Sequence, residues 1–356
     1  MGQKWLSYFI LIKIKKMQQS TKFYLGIDVS KPYFDVSLLA VINYQKQAIE
    51  TTQFSNDAKG IKLFDKWLKS YKVTFDANSI LVIENTGIYH RLLWQYCTTK
   101  SLPIHIGNAA HIKWSFGIAR GKNDKIDSIR LCTYASKHAD ELKATTAINP
   151  VLLQLKDLMT SRSKLLSQLN SNKTYLKELK QMSDKSTQSI LEKAYKAAVE
   201  GIAKSIKNIE AEIKQIVAKI EALQKNYTLL QTVPGIGHLT AVYLICCTNN
   251  FEGKISGKQL ACYAGVAPFE HSSGISVKGR TRVHKMANKD LKKLLHLNAL
   301  TAIKYYPEFK QYYDRKKAEG KHSMCILNAI RNKIVLRVIA VVNNQTPYVN
   351  KHQKAA

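Results

Sequence analysis

The chain has 356 residues, 45% of them hydrophobic, and carries 55 Lys and Arg against 25 Asp and Glu, a formal net charge of +30. That length predicts two or three structural units, and so large a positive surplus calls for a polyanionic partner, because each cation set on a phosphate releases a condensed counterion. No long basic amphipathic helix or lipidation motif accompanies it, which favours nucleic acid over a membrane. The six cysteines (97, 132, 246, 247, 262 and 325) and ten histidines form no CxxC, HxxxH or HExxH pair, which argues for reduced thiols in a cytoplasmic protein and against a disulfide frame or a zinc site.

Residues 1–16, MGQKWLSYFILIKIKK, hold an apolar run too short to span a bilayer. They read as part of a disordered or interfacial leader over 1–21, with Met17 opening the true domain. Residues 22–148 then alternate strand and helix signals. FYLGIDVS (23–30) and YFDVSLLAV (33–41) are successive apolar strands, and KQAIETTQF (46–54) is a third. A helix fits 60–71, with Phe64, Leu68 and Tyr71 on one side, followed by the strand SILVIE (79–84), a helix near 88–100, a short strand over 102–107 and helices to about 138. Three strands followed by helix–strand–helix–strand–helix is the order of an α/β ribonuclease H-like layer.

From Pro150 to Pro234 there is no proline and one glycine, Gly201. Ile202, Ile206, Ile209, Ile213, Ile216, Ile220, Leu223 and Tyr227 recur at alternating steps of four and three, the seam of a coiled coil. The polar break at 181–189 turns this helix on an earlier one over about 150–182, so 149–228 reads as a helical coiled-coil arm, either an intramolecular hairpin or a dimerisation device. Residues 229–345 read as a mostly α domain, with 346–356 as a tail. Within it, 226–245 reads as a helix-hairpin-helix whose turn, with Gly235 and Gly237, lets a DNA phosphate approach backbone N–H groups. Ser256 and Gln259 form a capping box for the next helix.

Two groups of residues carry chemistry. Asp28 lies in one apolar strand and Glu84 ends another, while Asp124 and Asp127 share a face at the start of a helix. Any one of them reads as a turn or first-turn acid, but burying two acids in apolar strands without a partner is expensive. Four such carboxylates suit Mg²⁺ or Mn²⁺ and metal-assisted phosphoryl chemistry. In the second half, Ser272, Ser273 and Gly274 lie on a polar loop followed by Lys278, Arg280, Arg282, His284 and Lys285, cations able to bind phosphate and favour a serine alkoxide. The same residues also suit a plain flexible loop.

GIDVSK (26–31), ENTGIY (84–89), KNDKIDSIRLCTYA (122–135), VPGIG (233–237), APFEHSSG (267–274) and a GR…K…N…L run (279–291) occur in that order. Together they resemble the DEDD-type insertion-sequence transposases of the IS-one-ten/IS-eleven-eleven family, over about residues 22–345. The resemblance implies a RuvC-like domain whose metal-binding acids are Asp28, Glu84, Asp124 and Asp127. It also implies a C-terminal domain whose serine joins covalently to DNA, a role that falls on Ser273 with Ser272 as close rival. It further implies a composite site between subunits of a tetramer, bridged by the coiled coil, and a structured noncoding RNA that chooses target and donor DNA. The chain departs from the family pattern at Asn123 and Ser128, beside the third and fourth acids, and at Ala287 and Lys292, where the family usually has Gly and Arg.

The expected function is therefore a cytoplasmic, nucleoid-associated transposase that excises and inserts its own element. It would act on double-stranded DNA as a dimer or tetramer, with Mg²⁺ or Mn²⁺. The alternatives are a RuvC-like junction resolvase with water as nucleophile, and a non-catalytic nucleic-acid-binding protein.

Overall fold

The computed structural model describes residues 21–75, 79–85, 87–116, 123–147, 149–273, 277–283 and 286–349, in two compact units that divide between residues 148 and 149. The predicted leader lies outside the described residues except for Thr21, which opens the first strand.

In the first unit the order is β1 (Thr21–Val29), β2 (Tyr33–Ile42), β3 (Gln45–Lys46), β4 (Glu50–Ser55), α1 (Ala58–Ser70), β5 (Ile80–Glu84), α2 (Arg91–Thr99), β6 (Ile104–Gly107), α3 (Ala109–Ser115) and α4 (Asp124–Lys137). The predicted third strand is in fact two pieces, β3 and β4, both paired with β2. β1 runs antiparallel to β2 and parallel to β5, which runs parallel to β6, giving the mixed order β3-β2-β1-β5-β6 with β4 beside β2.

Side chains alternate across this sheet, as a strand's period of two demands. Phe23, Leu25, Ile27, Phe34, Val36, Leu81 and Ile83 face one core, which Phe64 and Leu68 of α1 and Leu93 and Cys97 of α2 complete. Tyr71, expected on the same face of α1, instead caps the helix and is exposed. Tyr24, Leu39, Ile80 and Val82 face the other core, with Leu131, Cys132 and Ala135 of α4. Gly26 lies between Tyr24 and Asp28, and a Cβ there would collide with the backbone of Ser128, Leu131 and Cys132. The glycine thus lets α4 lie directly on the strand.

In the second unit α5 (Pro150–Met182) and α6 (Lys185–Lys219) form an antiparallel hairpin that turns at Ser183–Asp184. Asp184 caps α6 through the Thr187 N–H. Arg162–Glu210, Tyr175–Tyr195 and Lys180–Glu192 cross-link the hairpin along its length. The predicted heptad seam is not one straight helix. Ile220 is extended (φ −119°, ψ 107°) and separates α6 from α7 (Glu221–Gln231). Ile213 and Leu223 of the seam, with their neighbours Val217 and Leu230 and with Leu152 and Leu155 at the root of α5, belong to the core of the C-terminal helices, and Ile209, Ile216, Ile220 and Tyr227 pack against it.

Beyond α7 come α8 (His238–Cys247), α9 (Gly257–Tyr263), β7 (Pro268–Ser273), β8 (Val277–Val283), α10 (Lys289–Tyr305), α11 (Pro307–Ala318) and α12 (Ser323–Asn344). The Ser256/Gln259 capping box starts α9. The β7–β8 hairpin is a correction: Ser272 and Ser273, expected on a loop, are strand residues. Among the described residues no helix is long and apolar enough to cross a membrane.

The close contact at Gly26 generates the first prediction. Gly26→Ala should destabilise the protein by about 3 kcal/mol, the upper end for overpacking, because the obstacle is backbone and cannot turn aside. Thermal or urea melts of the variant beside the wild type measure it.

Candidate active site

The sheet delivers its acids to one edge. Ile27 of β1 pairs in parallel with Ile83 of β5, so the next residues, Asp28 and Glu84, follow side by side at the carboxyl ends of those strands. Ligand sites of α/β sheets form at such ends. Asp28 shares the Tyr24–Gly26 face, on which α4 packs.

Asn123 caps α4, its Oδ1 accepting from the Ile126 N–H at 2.7 Å, and this puts Asp124 and Asp127 in the first turn. An acid there is favoured by the helix dipole. Ser128, the other departure from the family pattern near these acids, is fully buried. Its hydroxyl donates to the Lys125 carbonyl and lies 2.8 Å from that of Ser37 on β2. Both departures therefore keep α4 in place.

The four acids are brought within electrostatic reach of one another. Asp28 is pushed up from 3.8 to about 6, first by burial, then by the charges of Asp124, Asp127 and Glu84, against a lowering by the Val29 backbone N–H. Tyr33 donates its hydroxyl to Asp124 Oδ2 at 3.2 Å, and Arg130 pairs with Asp127 at 2.8 Å. Among the described residues no three Asp, Glu, His or Cys side chains are drawn together as closely as metal ligation needs. The donor set itself fits a hard divalent ion: all four groups offer oxygen, and the repulsion among them adds to burial in raising Asp28.

Sequence reasoning missed Asp35. It is the cross-strand partner of Asp28 and is 9% exposed, and both of its oxygens accept from Gln53 Nε2 at 3.2 Å. Burial raises its pKa, and the charge of Asp124 adds to this against the Gln53 hydrogen bond. The available signal was the alternation in β2, where Tyr33, Asp35 and Ser37 are spaced by two opposite Asp28 and Gly26.

The other predicted residues belong to the second unit. Ser272 is the register partner of Lys278, Ser273 that of Val277, and Arg282 that of Phe269. Arg280 lies on the same strand, β8, while Gly274, His284 and Lys285 fall outside the described residues. Gly235 has φ +85°, and its close approach is to the Asn298 carbonyl of α10, a packing contact inside the protein. Gly237 opens α8 with nothing near the position a Cβ would take.

Asp28 ionises at a cost in the fold. Its raised pKa contributes stability that is complete below about 4 and is lost as pH rises through about 6. Metal-free Asp28→Asn should therefore be more stable than wild type at pH 7–8, by about 1 kcal/mol once solvent screening is allowed for. The difference should vanish towards pH 4, and added Mg²⁺ should raise the melting temperature of the wild type alone. Thermal melts across pH with EDTA or Mg²⁺ check both.

A sequence model for DEDD transposases of the IS110 type matches residues 25–182, and one for the "Transposase IS116/IS110/IS902 family" matches 227–314. The "Pilin gene-inverting protein" of Moraxella bovis is 29% identical over 335 residues, covering 92% of this chain and 98% of that protein. Its namesake in Moraxella lacunata is equally similar over the same span. The "Insertion element IS110 uncharacterized 43.6 kDa protein" of Streptomyces coelicolor is 30% identical over 157 residues, 43% of this chain and 38% of that one. With one family match running through the first unit and α5 of the second, and the other lying within the second, the chain belongs to the IS110 family of DEDD transposases, enzymes that recombine DNA.

Proposed function

We propose that the chain exchanges DNA strands by metal-assisted phosphoryl transfer at Asp28, Glu84, Asp124 and Asp127, with Ser273 as nucleophile and Ser272 as its rival. The observation that carries this reading is that Asp28, at the end of β1, lies within the field of Glu84 on β5 and of Asp124 and Asp127 on α4, so that burial and then their charges push it up to about 6. The strand order, with β2 antiparallel to the central β1 and with β4, β5 and β6 parallel to it, supports a ribonuclease H-like, RuvC-like layer.

A divalent cation such as Mg²⁺ or Mn²⁺, when bound, supplies charge stabilisation for the phosphate oxygens. Asp28 and Glu84 would hold it from the strands, and Asp124 and Asp127 from the helix. Tyr33 orients Asp124, and Arg130 orients Asp127.

In the transfer the serine Oγ attacks phosphorus and its proton passes to water. The bond from phosphorus to the departing strand breaks, and that strand leaves as a hydroxyl after taking a proton. The phosphoserine diester conserves the bond until a hydroxyl from another strand displaces the serine. The relatives named for inverting a pilin gene support such a link, since inversion leaves the number of phosphodiester bonds unchanged.

Gly237, Lys278, Arg280, Arg282 and Lys285 are the candidate phosphate contacts. Gly235 is occupied by the chain's own packing, so a helix-hairpin-helix reading narrows to Gly237 and the start of α8. The α5–α6 arm is the candidate bridge of a dimer or tetramer, supported by exposed Tyr175, Met182 and Ile190 towards its tip. A structured noncoding RNA is the candidate guide, supported by the net charge of +30.

The test incubates the full chain with element-end DNA and Mg²⁺ and resolves products on a denaturing gel. A protein–DNA adduct is expected, lost in Ser273→Ala and reduced about 100-fold or more in Asp28→Ala. An adduct lost only in Ser272→Ala transfers the role to that residue. Metal-dependent cutting that survives both serine substitutions identifies a resolvase using water. DNA binding without cutting, unchanged in Asp28→Ala, identifies a binding protein.

A further inference from the structure

Arg331 on α12 is 4% exposed, yet among the described residues no carboxylate pairs with it. Its Nη2 donates to His296 Nδ1 on α10 at 2.6 Å, and its Nε is buried with no hydrogen-bond partner. Burial alone lowers its pKa, with no carboxylate acting against it. Arg337, further along the same helix, shows how this fold treats other recessed guanidinium groups. It donates to both oxygens of Glu308 at 2.8 and 3.0 Å and lies over the rings of Phe309 and Tyr348. Arg162 is likewise matched by Glu210. A buried cation without a counter-charge is costly, and the ones that persist are compensated.

The surroundings are those of a donor site. A guanidinium can only donate, so His296 Nδ1 accepts and the neutral imidazole carries its proton on Nε2, a further donor. Burial and then the Arg331 charge hold the pKa of His296 below its ordinary value. Lys292, one turn before His296 on α10, runs its stem beside Gly265. Asn328, one turn before Arg331, donates to the Val266 carbonyl at 2.9 Å. Two residues after Val266 the chain enters β7. Arg331, His296 and Lys292 are thus associated with the foot of the β7–β8 hairpin.

We propose that Arg331 and His296, with Lys292, form a binding site for a nucleic-acid backbone phosphate at the foot of the β7–β8 hairpin. The planar fork of an arginine matches two phosphate oxygens, and a phosphate supplies the negative charge this part of the fold lacks. The ligand class rests on reading the chain as one that acts on DNA. The test measures binding without cutting, so failure of this site and failure of strand transfer are separate results.

The experiment uses the full chain, Arg331→Met, Arg331→Lys and duplex DNA of arbitrary sequence, with affinity read across a salt series and thermal melts with and without inorganic phosphate. Arg331→Met should melt at or above the wild-type temperature in phosphate-free buffer, since an apolar side chain replaces an uncompensated buried charge. It should bind the duplex about tenfold more weakly, with the slope of log affinity against log salt reduced by about 1. Inorganic phosphate should raise the melting temperature of the wild type and not of this variant. Wild-type affinity and slope in Arg331→Met overturn the proposal, as does an equal phosphate response in both proteins. A phosphate response lost in Arg331→Met while duplex binding is unchanged overturns the nucleic-acid assignment in favour of a free anion. Should Arg331→Met fail to fold, Arg331→Lys decides: it keeps the charge but not the fork, so weaker binding with the slope retained is expected, and wild-type affinity overturns the site.

Discussion

The first unit depends on a contact between backbones. Without a Cβ at Gly26, α4 settles onto β1 closely enough for the Cys132 thiol to reach the Tyr24 carbonyl at 3.2 Å and for Ser128 to meet Ser37. That packing fixes the height of α4 over the sheet, and its capped N-terminus puts Asp124 and Asp127 within the field of Asp28 and Glu84. The acids contribute nothing favourable to this approach, since like charges oppose it. The apolar contacts of Leu131, Cys132 and Ala135 lower on the same helix hold the arrangement. Apolar packing holds one end of the helix, and like charges gather at the other.

Much of this was legible in the sequence, because strand alternation and helix caps are local. GIDVS and SILVIE marked the strands that carry Asp28 near one end and Glu84 at another, and the spacing of Asp124 and Asp127 marked one helical face. Asp35 and Tyr33 were not found, since an acid in a strand becomes informative only when the register sets it opposite Asp28, and register is non-local. The β7–β8 hairpin was missed because its run of cations drew attention away from an alternation of Val277, Gly279, Thr281 and Val283 with Lys278, Arg280 and Arg282. The heptad seam misled for a different reason. A repeat of fours and threes marks one buried stripe, but not whether another chain covers it or the protein's own core does. Here Ile213 and Leu223 are buried in the core of the C-terminal helices, Ile209, Ile216 and Tyr227 pack against it, and the helix breaks at Ile220.

Among the described residues, charge is unbalanced at the acids and at Arg331, in opposite senses. At the sheet edge acids gather around Asp28, with Arg130 paired to Asp127 as the nearby cation. At Arg331 a cation is buried with a neutral histidine for company. Two other recessed cations are matched internally, Arg337 by Glu308 and Arg162 by Glu210. A protein able to pair those groups gains nothing in stability from leaving the other two unmatched. Their upkeep is explained if the missing charges arrive with ligands, a divalent cation at the acids and a phosphate at the guanidinium. A metal-bound nucleic acid brings both, and the surplus of +30 ensures that such a polyanion is drawn to the chain before either site is filled.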